Sequence, residues 1–124
     1  MAQPSDFFIL VVDDEVEIAE ILSESLTYED FKSGFNTSPR EALEFIKSNS
    51  VDVVLCDANM PHMKGTEFLA ELRKNNIPAK FYLCTGDVDF EEKQIKELGG
   101  DGLILKPFSV SDIVTRLKAD LGLA

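Results

Sequence analysis

The feature that most constrains this chain is a fivefold alternation between short apolar runs and stretches of helical periodicity. The first run lies in "DFFILVVDD" and ends in charge, which reads as a strand buried on both faces. Ile18, Ile21, Leu22, Ser25 and Leu26 then recur at helical spacing. "DFKSGFNT" is a weaker strand, and Gly34 within it and Lys32 on it suit an edge. Ser38-Pro39-Arg40-Glu41 is a helix start, with a capping serine, proline in the first turn and glutamate three after the cap. Ala42, Leu43 and Ile46 give that helix its apolar face. "VDVVLC" predicts a third strand, and Thr66 to Lys74 a helix using Phe68, Leu69 and Leu72. "AKFYLCT" predicts a fourth strand. The following helix spans Phe90 to Leu98, turns Ile95 and Leu98 inward, and stops at Gly99-Gly100. "GLILK" is the fifth strand. Val110, Ile113, Val114, Leu117 and Leu121 mark a last helix, capped by Ser109 or Ser111. Strand and helix alternating at this spacing predict an α/β fold: five parallel strands with five helices laid on both faces. The 124 residues read as one domain, with residues 1–5 a flexible tail.

Charge narrows the function classes. The formal net charge is −11 at pH 7. Such a surface repels nucleic acid and anionic lipid and attracts divalent cations and basic protein faces. No apolar run approaches the length needed to cross a bilayer, so membrane insertion is not expected. No basic-then-apolar segment opens the chain. Two cysteines build no disulfide framework, and their spacing matches no zinc motif. These features fit a reducing, cytoplasmic setting.

The fold gives the polar residues an address. In open parallel sheets, ligands bind at the carboxyl ends of the strands. The first strand runs into Asp13-Asp14, the third into Asp57, the fourth into Thr85 and the fifth into Lys106. Taken singly, a charged residue at a strand exit is a solvated surface group. Five polar side chains from distant parts of the chain on one sheet edge need a common explanation. Three carboxylates against one lysine leave an excess of negative charge, which a divalent, oxygen-seeking cation neutralises. Magnesium suits such a set, and zinc does not, because the chain has a single histidine and no paired thiols. Asp57 then has the chemistry of a nucleophile toward phosphorus. Lys106 and the metal offset charge on the phosphoryl oxygens, and Thr85 offers a hydroxyl to one of them.

The motifs "VVDDE", "LCDANMPHMKG", "CTG" and "LKPF", in this order and spacing, resemble those of receiver domains of bacterial two-component response regulators, especially the single-domain chemotaxis type. The likeness runs from Phe7 to about Leu121. It implies a flavodoxin-like, doubly wound sheet of order 2-1-3-4-5. It also implies roles. Asp57 resembles the phosphoacceptor, Asp14 a direct magnesium ligand, and Asp13 its water-mediated neighbour. Asn59 resembles the residue that gives a backbone carbonyl to the metal. Thr85 is similar to the switch hydroxyl, and Lys106 to the phosphate-pairing lysine, which in the family precedes a cis proline. The implied partners are a sensor histidine kinase or histidine phosphotransfer protein as donor, and a protein target on the face made by the fourth helix, fifth strand and fifth helix. The chain departs from the common pattern at three places. Leu103 stands where relatives often carry an aromatic switch ring, Lys64 where an acid is common, and Gly86 where alanine is common.

The same residues admit other readings. An aspartate-nucleophile phosphohydrolase wants an acid two residues after the nucleophile, and Asn59 cannot donate a proton. A vestigial interaction module would not need the complete acid pair, acceptor, hydroxyl and lysine. A phosphate sink or shuttle, or the receiver part of a longer regulator, fits the same site. His62 lacks the partners that metal or phosphorelay chemistry requires and reads as an exposed turn residue. Cys56 and Cys84 read as a buried core thiol pair rather than a redox pair.

Overall fold

The computed structural model describes residues 2–123. Five strands form one parallel sheet: β1 (Phe8–Val12), β2 (Lys32–Asn36), β3 (Val53–Asp57), β4 (Lys80–Thr85) and β5 (Gly102–Leu105). Their spatial order is β2-β1-β3-β4-β5, as the family resemblance implies. The register pairs Val12 with both Asn36 and Cys56, Asp57 with Cys84, and Thr85 with Leu105. The carboxyl ends therefore line up along one edge.

Five helices cover the faces: α1 (Val16–Tyr28), α2 (Pro39–Ser48), α3 (Gly65–Lys74), α4 (Glu92–Glu97) and α5 (Val110–Asp120). Alternate strand residues serve opposite layers. Ile9, Val11, Val53, Leu55 and Tyr82 pack with the buried residues of α1 and α5. Leu10, Val12, Val54, Phe81 and Leu83 pack with those of α2, α3 and α4. Burial on both faces explains the continuous apolar runs of β1 and β3. Lys32 is exposed and β2 lies at the sheet edge, as its Gly34 and Lys32 suggested.

Local chemistry sets the helix ends. The Ser38 hydroxyl accepts from the Glu41 N–H at 3.4 Å, and the Ser109 hydroxyl accepts from the Asp112 N–H at 3.0 Å, which assigns the α5 cap to Ser109. Helix α3 starts one residue earlier than expected, at Gly65, with the Lys64 N–H donating to Glu67 Oε1 at 2.9 Å.

Three local expectations change. In α1 the inward stripe is Ala19, Leu22, Ser23 and Leu26, while Ile21 is 62 % exposed. Small Ala19 and Ser23 let the helix lie close to the sheet, and the Ser23 hydroxyl meets that of Ser33 on β2 at 2.9 Å. Helix α4 is shorter than Phe90 to Leu98, and only Ile95 is buried in it; Leu98 is 52 % exposed. At the end of the 1–5 segment expected to be a tail, Pro4–Asp6 form a 3-10 turn, and the Gln3 N–H donates to Asp6 Oδ2 at 2.8 Å. Met1 lies outside the described residues.

Candidate functional site

Backbone bonds that run past the strand ends place the polar residues. The Asp13 N–H donates to the Asn36 carbonyl (3.2 Å), the Ala58 N–H to the Cys84 carbonyl (2.9 Å) and the Lys106 N–H to the Thr85 carbonyl (2.8 Å). Three of the four sheet ladders, all but β1–β3, thus continue into a site residue or its neighbour. Directly after Asp57, Asn59–Met60 and Met63–Lys64 form a small antiparallel hairpin, with His62 exposed at its tip at φ 72°. The hairpin was not visible in the sequence. The chain then re-enters at Gly65, whose N–H donates to the Ala58 carbonyl at 2.9 Å. A Cβ on Gly65 would lie 2.6 Å from the Asp57 carbonyl oxygen and 2.5 Å from Leu83 Cδ1. Only glycine lets α3 begin against the end of β3.

The structure brings the predicted residues together. Carboxylate oxygens of Asp13, Asp14 and Asp57 lie within 4.8 Å of one another. Asp13 and Asp57 are buried and Asp14 is exposed. Lys106 Nζ donates to Asp57 Oδ1 at 2.5 Å and stands 3.7 Å from Asp13 Oδ2. Burial draws the Lys106 ammonium down, but the hydrogen bond to Asp57 and the charges of Asp57 and Asp13 outweigh it and raise its pKa. Burial raises the Asp13 carboxyl above its ordinary range. The Glu15 N–H, donating to Asp13 Oδ1 at 2.9 Å, and Lys106 pull the other way, while Asp57 and Asp14 add repulsion. The cluster therefore holds more negative charge than one ammonium offsets, with an exposed carboxylate at its mouth. That donor set fits a hard divalent cation.

Thr85 is buried at the end of β4, and its Oγ1 accepts from the Asp87 N–H at 3.1 Å. A threonine hydroxyl that accepts one hydrogen bond can also donate one. Asn59 has an exposed side chain and sits in the hairpin, paired through Lys64. The Lys106-Pro107 peptide is cis. Gly86 is exposed, and a Cβ there meets nothing within 4 Å. Leu103 is half-buried against the α2–α4 layer.

Cys56 and Cys84 are both buried but belong to opposite core layers, so they are not a thiol pair. Burial raises the Cys56 thiol well above its ordinary value and pushes Cys84 up to about 12.

A family model described as the response regulator receiver domain matches residues 9–118. The chain belongs to this family. Receivers of known structure share its fold. The Vibrio cholerae chemotaxis protein CheY4 superposes with a TM-score of 0.84 at 28 % identity, over 91 % of this chain and 97 % of that one. The Thermotoga maritima response regulator TrrA, solved in complex with magnesium and beryllofluoride, gives 0.80 at 31 % identity, over 91 % of this receiver and 97 % of that chain. Among curated relatives, the transcriptional regulatory protein CpxR homolog of Haemophilus influenzae is 36 % identical over 91 % of this receiver and 49 % of its own length. The response regulator SaeR of Staphylococcus aureus is 31 % identical over 88 % of this receiver and 48 % of its own length. The receiver thus spans about half the length of these relatives. Among the described residues, no helix is long and apolar enough to cross a membrane.

One set of contacts, joining α4 to α5 and β4, is not evident in the sequence. Arg116 pairs with Glu92 of α4 and with Asp120 of its own helix, its Nε lying 2.8 Å from Asp120 Oδ2. Its guanidinium lies over the Tyr82 ring, 5.4 Å from the centroid, and the Tyr82 hydroxyl donates to Asp120 at 2.5 Å. The spacing of Arg116 and Asp120 is a helical i,i+4 pair and was the available signal.

Proposed function

We propose that this receiver takes a phosphoryl group onto Asp57 from a phosphohistidine of a sensor kinase or phosphotransfer protein, in the cytoplasm, and signals through a protein partner. The observation that carries this reading is Lys106 Nζ held on Asp57 Oδ1 inside a three-carboxylate cluster at the carboxyl edge of the sheet. Asp13, Asp14, Asp57 and the backbone carbonyl of Asn59 would hold magnesium. When bound, magnesium supplies positive charge against the phosphoryl oxygens and the carboxylates.

The chain's own residues do the rest. A carboxylate oxygen of Asp57 forms a bond to phosphorus as the donor's P–N bond breaks. The electron pair leaves with the imidazole nitrogen, which takes up a proton from solvent. The product is an acyl phosphate. Lys106 shifts from the carboxylate to a phosphoryl oxygen without leaving the pocket. Thr85 turns and donates a hydrogen bond from its hydroxyl to a second oxygen. The surrounding wall of β3 and β4 excludes water from the aspartate's inner face. The open space beside Gly86 admits water or a small donor from outside.

The output surface in this reading is the face of α4, β5 and α5. Leu98 and Leu105, 52 % and 47 % exposed, give it apolar anchors. Leu103 repacks by small rotamer changes, because leucine has no ring to swing. A second reading follows from the curated relatives of about twice this length: the receiver serves a longer regulator, as a transcriptional regulatory protein would require. In both readings the chemistry at Asp57 is the same.

Phosphotransfer from purified phosphohistidine donors, followed over time, tests the function. Rapid transfer from at least one donor, absent in Asp57→Asn, is the expected result. Release of free phosphate from many phosphate esters with turnover would mark a phosphohydrolase instead.

A further inference from the structure

Helix α4 is too short and too poorly buried to be placed by apolar packing alone. Its six residues bury only Ile95. Two arginines from neighbouring helices hold its ends. At the carboxyl end, Arg73 of α3 donates from Nε to the Gly99 carbonyl at 2.9 Å, and its NH2 lies 3.6 Å from Asp101 Oδ2. At the amino end, Arg116 of α5 pairs with Glu92.

The second attachment has a fixed base and a detachable tip. Asp120 and the Tyr82 ring keep Arg116 on α5 and β4 whether or not Glu92 is present. Glu92 is bound to α5 through this contact. Its side chain is 40 % exposed and that of Arg116 is 32 % exposed, so water and salt screen the pair and it opens at low cost. The sequence also leaves space for it. A Cβ on Gly102 would collide with the Arg116 guanidinium and stand 2.8 Å from Glu92 Oε1.

Three separate hydrogen bonds shape the segment between Thr85 and the start of α4. Thr85 Oγ1 accepts from the Asp87 N–H at 3.1 Å, the Asp87 carbonyl accepts from the Phe90 N–H at 3.2 Å, and the Glu91 N–H donates to Gln94 Oε1 at 2.7 Å. A turn of Thr85 moves the acceptor on which the 86–90 loop hangs.

We propose that the Glu92–Arg116 pair is a releasable latch that sets the position of α4, and that it opens when Thr85 turns toward a phosphoryl group on Asp57. The opening step rests on the reading of Asp57 as acceptor; the latch itself does not.

Amide hydrogen exchange on the full chain, unphosphorylated and without magnesium, tests the latch. Glu92→Gln should exchange roughly threefold faster over residues 93–98 than wild type, the size of one screened ion pair. Glu92→Lys, which places two cations together, should exceed it. Molar salt should speed wild-type exchange there and leave Glu92→Gln nearly unchanged. Equal exchange in all three proteins at both salt levels overturns the latch and leaves Ile95 as the holder of α4. Labelling by acetyl phosphate with magnesium tests the coupling. Glu92→Gln should label roughly threefold faster than wild type, because an opened latch favours the acceptor state by what it no longer costs to break. Faster exchange with equal labelling overturns the coupling. No labelling of wild type defeats the Asp57 reading, and the opening step with it, while the exchange comparison still decides the latch.

Discussion

At the scale of single residues, the chemistry is separated from the core by a few ångströms. Asp57 ends the same strand that carries Cys56, yet one group faces Lys106 and the other is sealed in the α2–α4 layer. Both thiols are held protonated by burial, Cys84 up to about 12 and Cys56 well above its ordinary value. Since the thiolate is the reactive form, neither cysteine should react with iodoacetamide in the native protein at mildly alkaline pH, and both should react once denaturant is added. Rapid native alkylation followed by peptide mapping to Cys56 or Cys84 would contradict their placement. The clustering was legible in the sequence, because strand ends and motif spacing point to Asp13, Asp14, Asp57, Thr85 and Lys106 without any knowledge of packing. The sequence did not carry the opposite placement of the two thiols. That depends on strand register, which shifts a side chain to the other face with a single residue.

At the scale of elements, helix ends are where the sequence was partly silent. Four helices close with the same device, a residue at positive φ followed by an N–H returning to the carbonyl five residues back. Gly99 and Gly122 adopt it as glycine, but Asp30 and Asn76 adopt it with side chains, at φ 73° and 57°. The Phe31 N–H returns to the Leu26 carbonyl at 3.1 Å and the Ile77 N–H to the Leu72 carbonyl at 3.0 Å. A left-handed conformation costs a side chain about 1 kcal/mol. Asp30→Gly and Asn76→Gly should therefore each raise the unfolding free energy by up to about 1 kcal/mol, read from urea melts with an unchanged slope. Loss of stability in both would contradict the backbone described here. Helix α4 is shorter than the periodicity suggests for a related reason: Leu98 keeps helical spacing, but it caps the helix and is half exposed. The carboxyl end of α5 adds a pH effect. Burial would raise the Asp120 carboxyl, yet the Tyr82 hydroxyl and the Arg116 guanidinium hold it below its ordinary value. A depressed carboxylate contributes stability above its unfolded pKa and loses it as pH falls through the folded one. Thermal melts between mildly acidic pH and about pH 3 should fall less steeply in Asp120→Asn than in wild type. An identical acid limb in the two proteins would show that Asp120 is not held in this network.

At the scale of the whole molecule, alternation and charge were enough to set the architecture. Five strand–helix units specify one parallel sheet with helices on both faces, and the order 2-1-3-4-5 followed from the family likeness rather than from periodicity. What the sequence could not show is how the elements are tied across their faces, as Arg73 and Arg116 tie α4, because those contacts join residues from separate helices. The net charge of −11 makes the acidic edge part of a strongly negative molecule. Magnesium should accordingly raise the melting temperature, and Asp14→Ala should lose most of that gain, since a ligand that binds only the folded state stabilises it by mass action. An equal magnesium response in Asp14→Ala would place the ion elsewhere. Asp57 as acceptor is the central claim. Wild type and Asp57→Asn are incubated with acetyl phosphate and magnesium, and the phosphorylated residue is located by peptide mass spectrometry. The account predicts one phosphoryl group, on the peptide containing Asp57, and none on the folded Asp57→Asn protein. A phosphoryl group on another aspartate of wild type, or persistent labelling of folded Asp57→Asn, would contradict it.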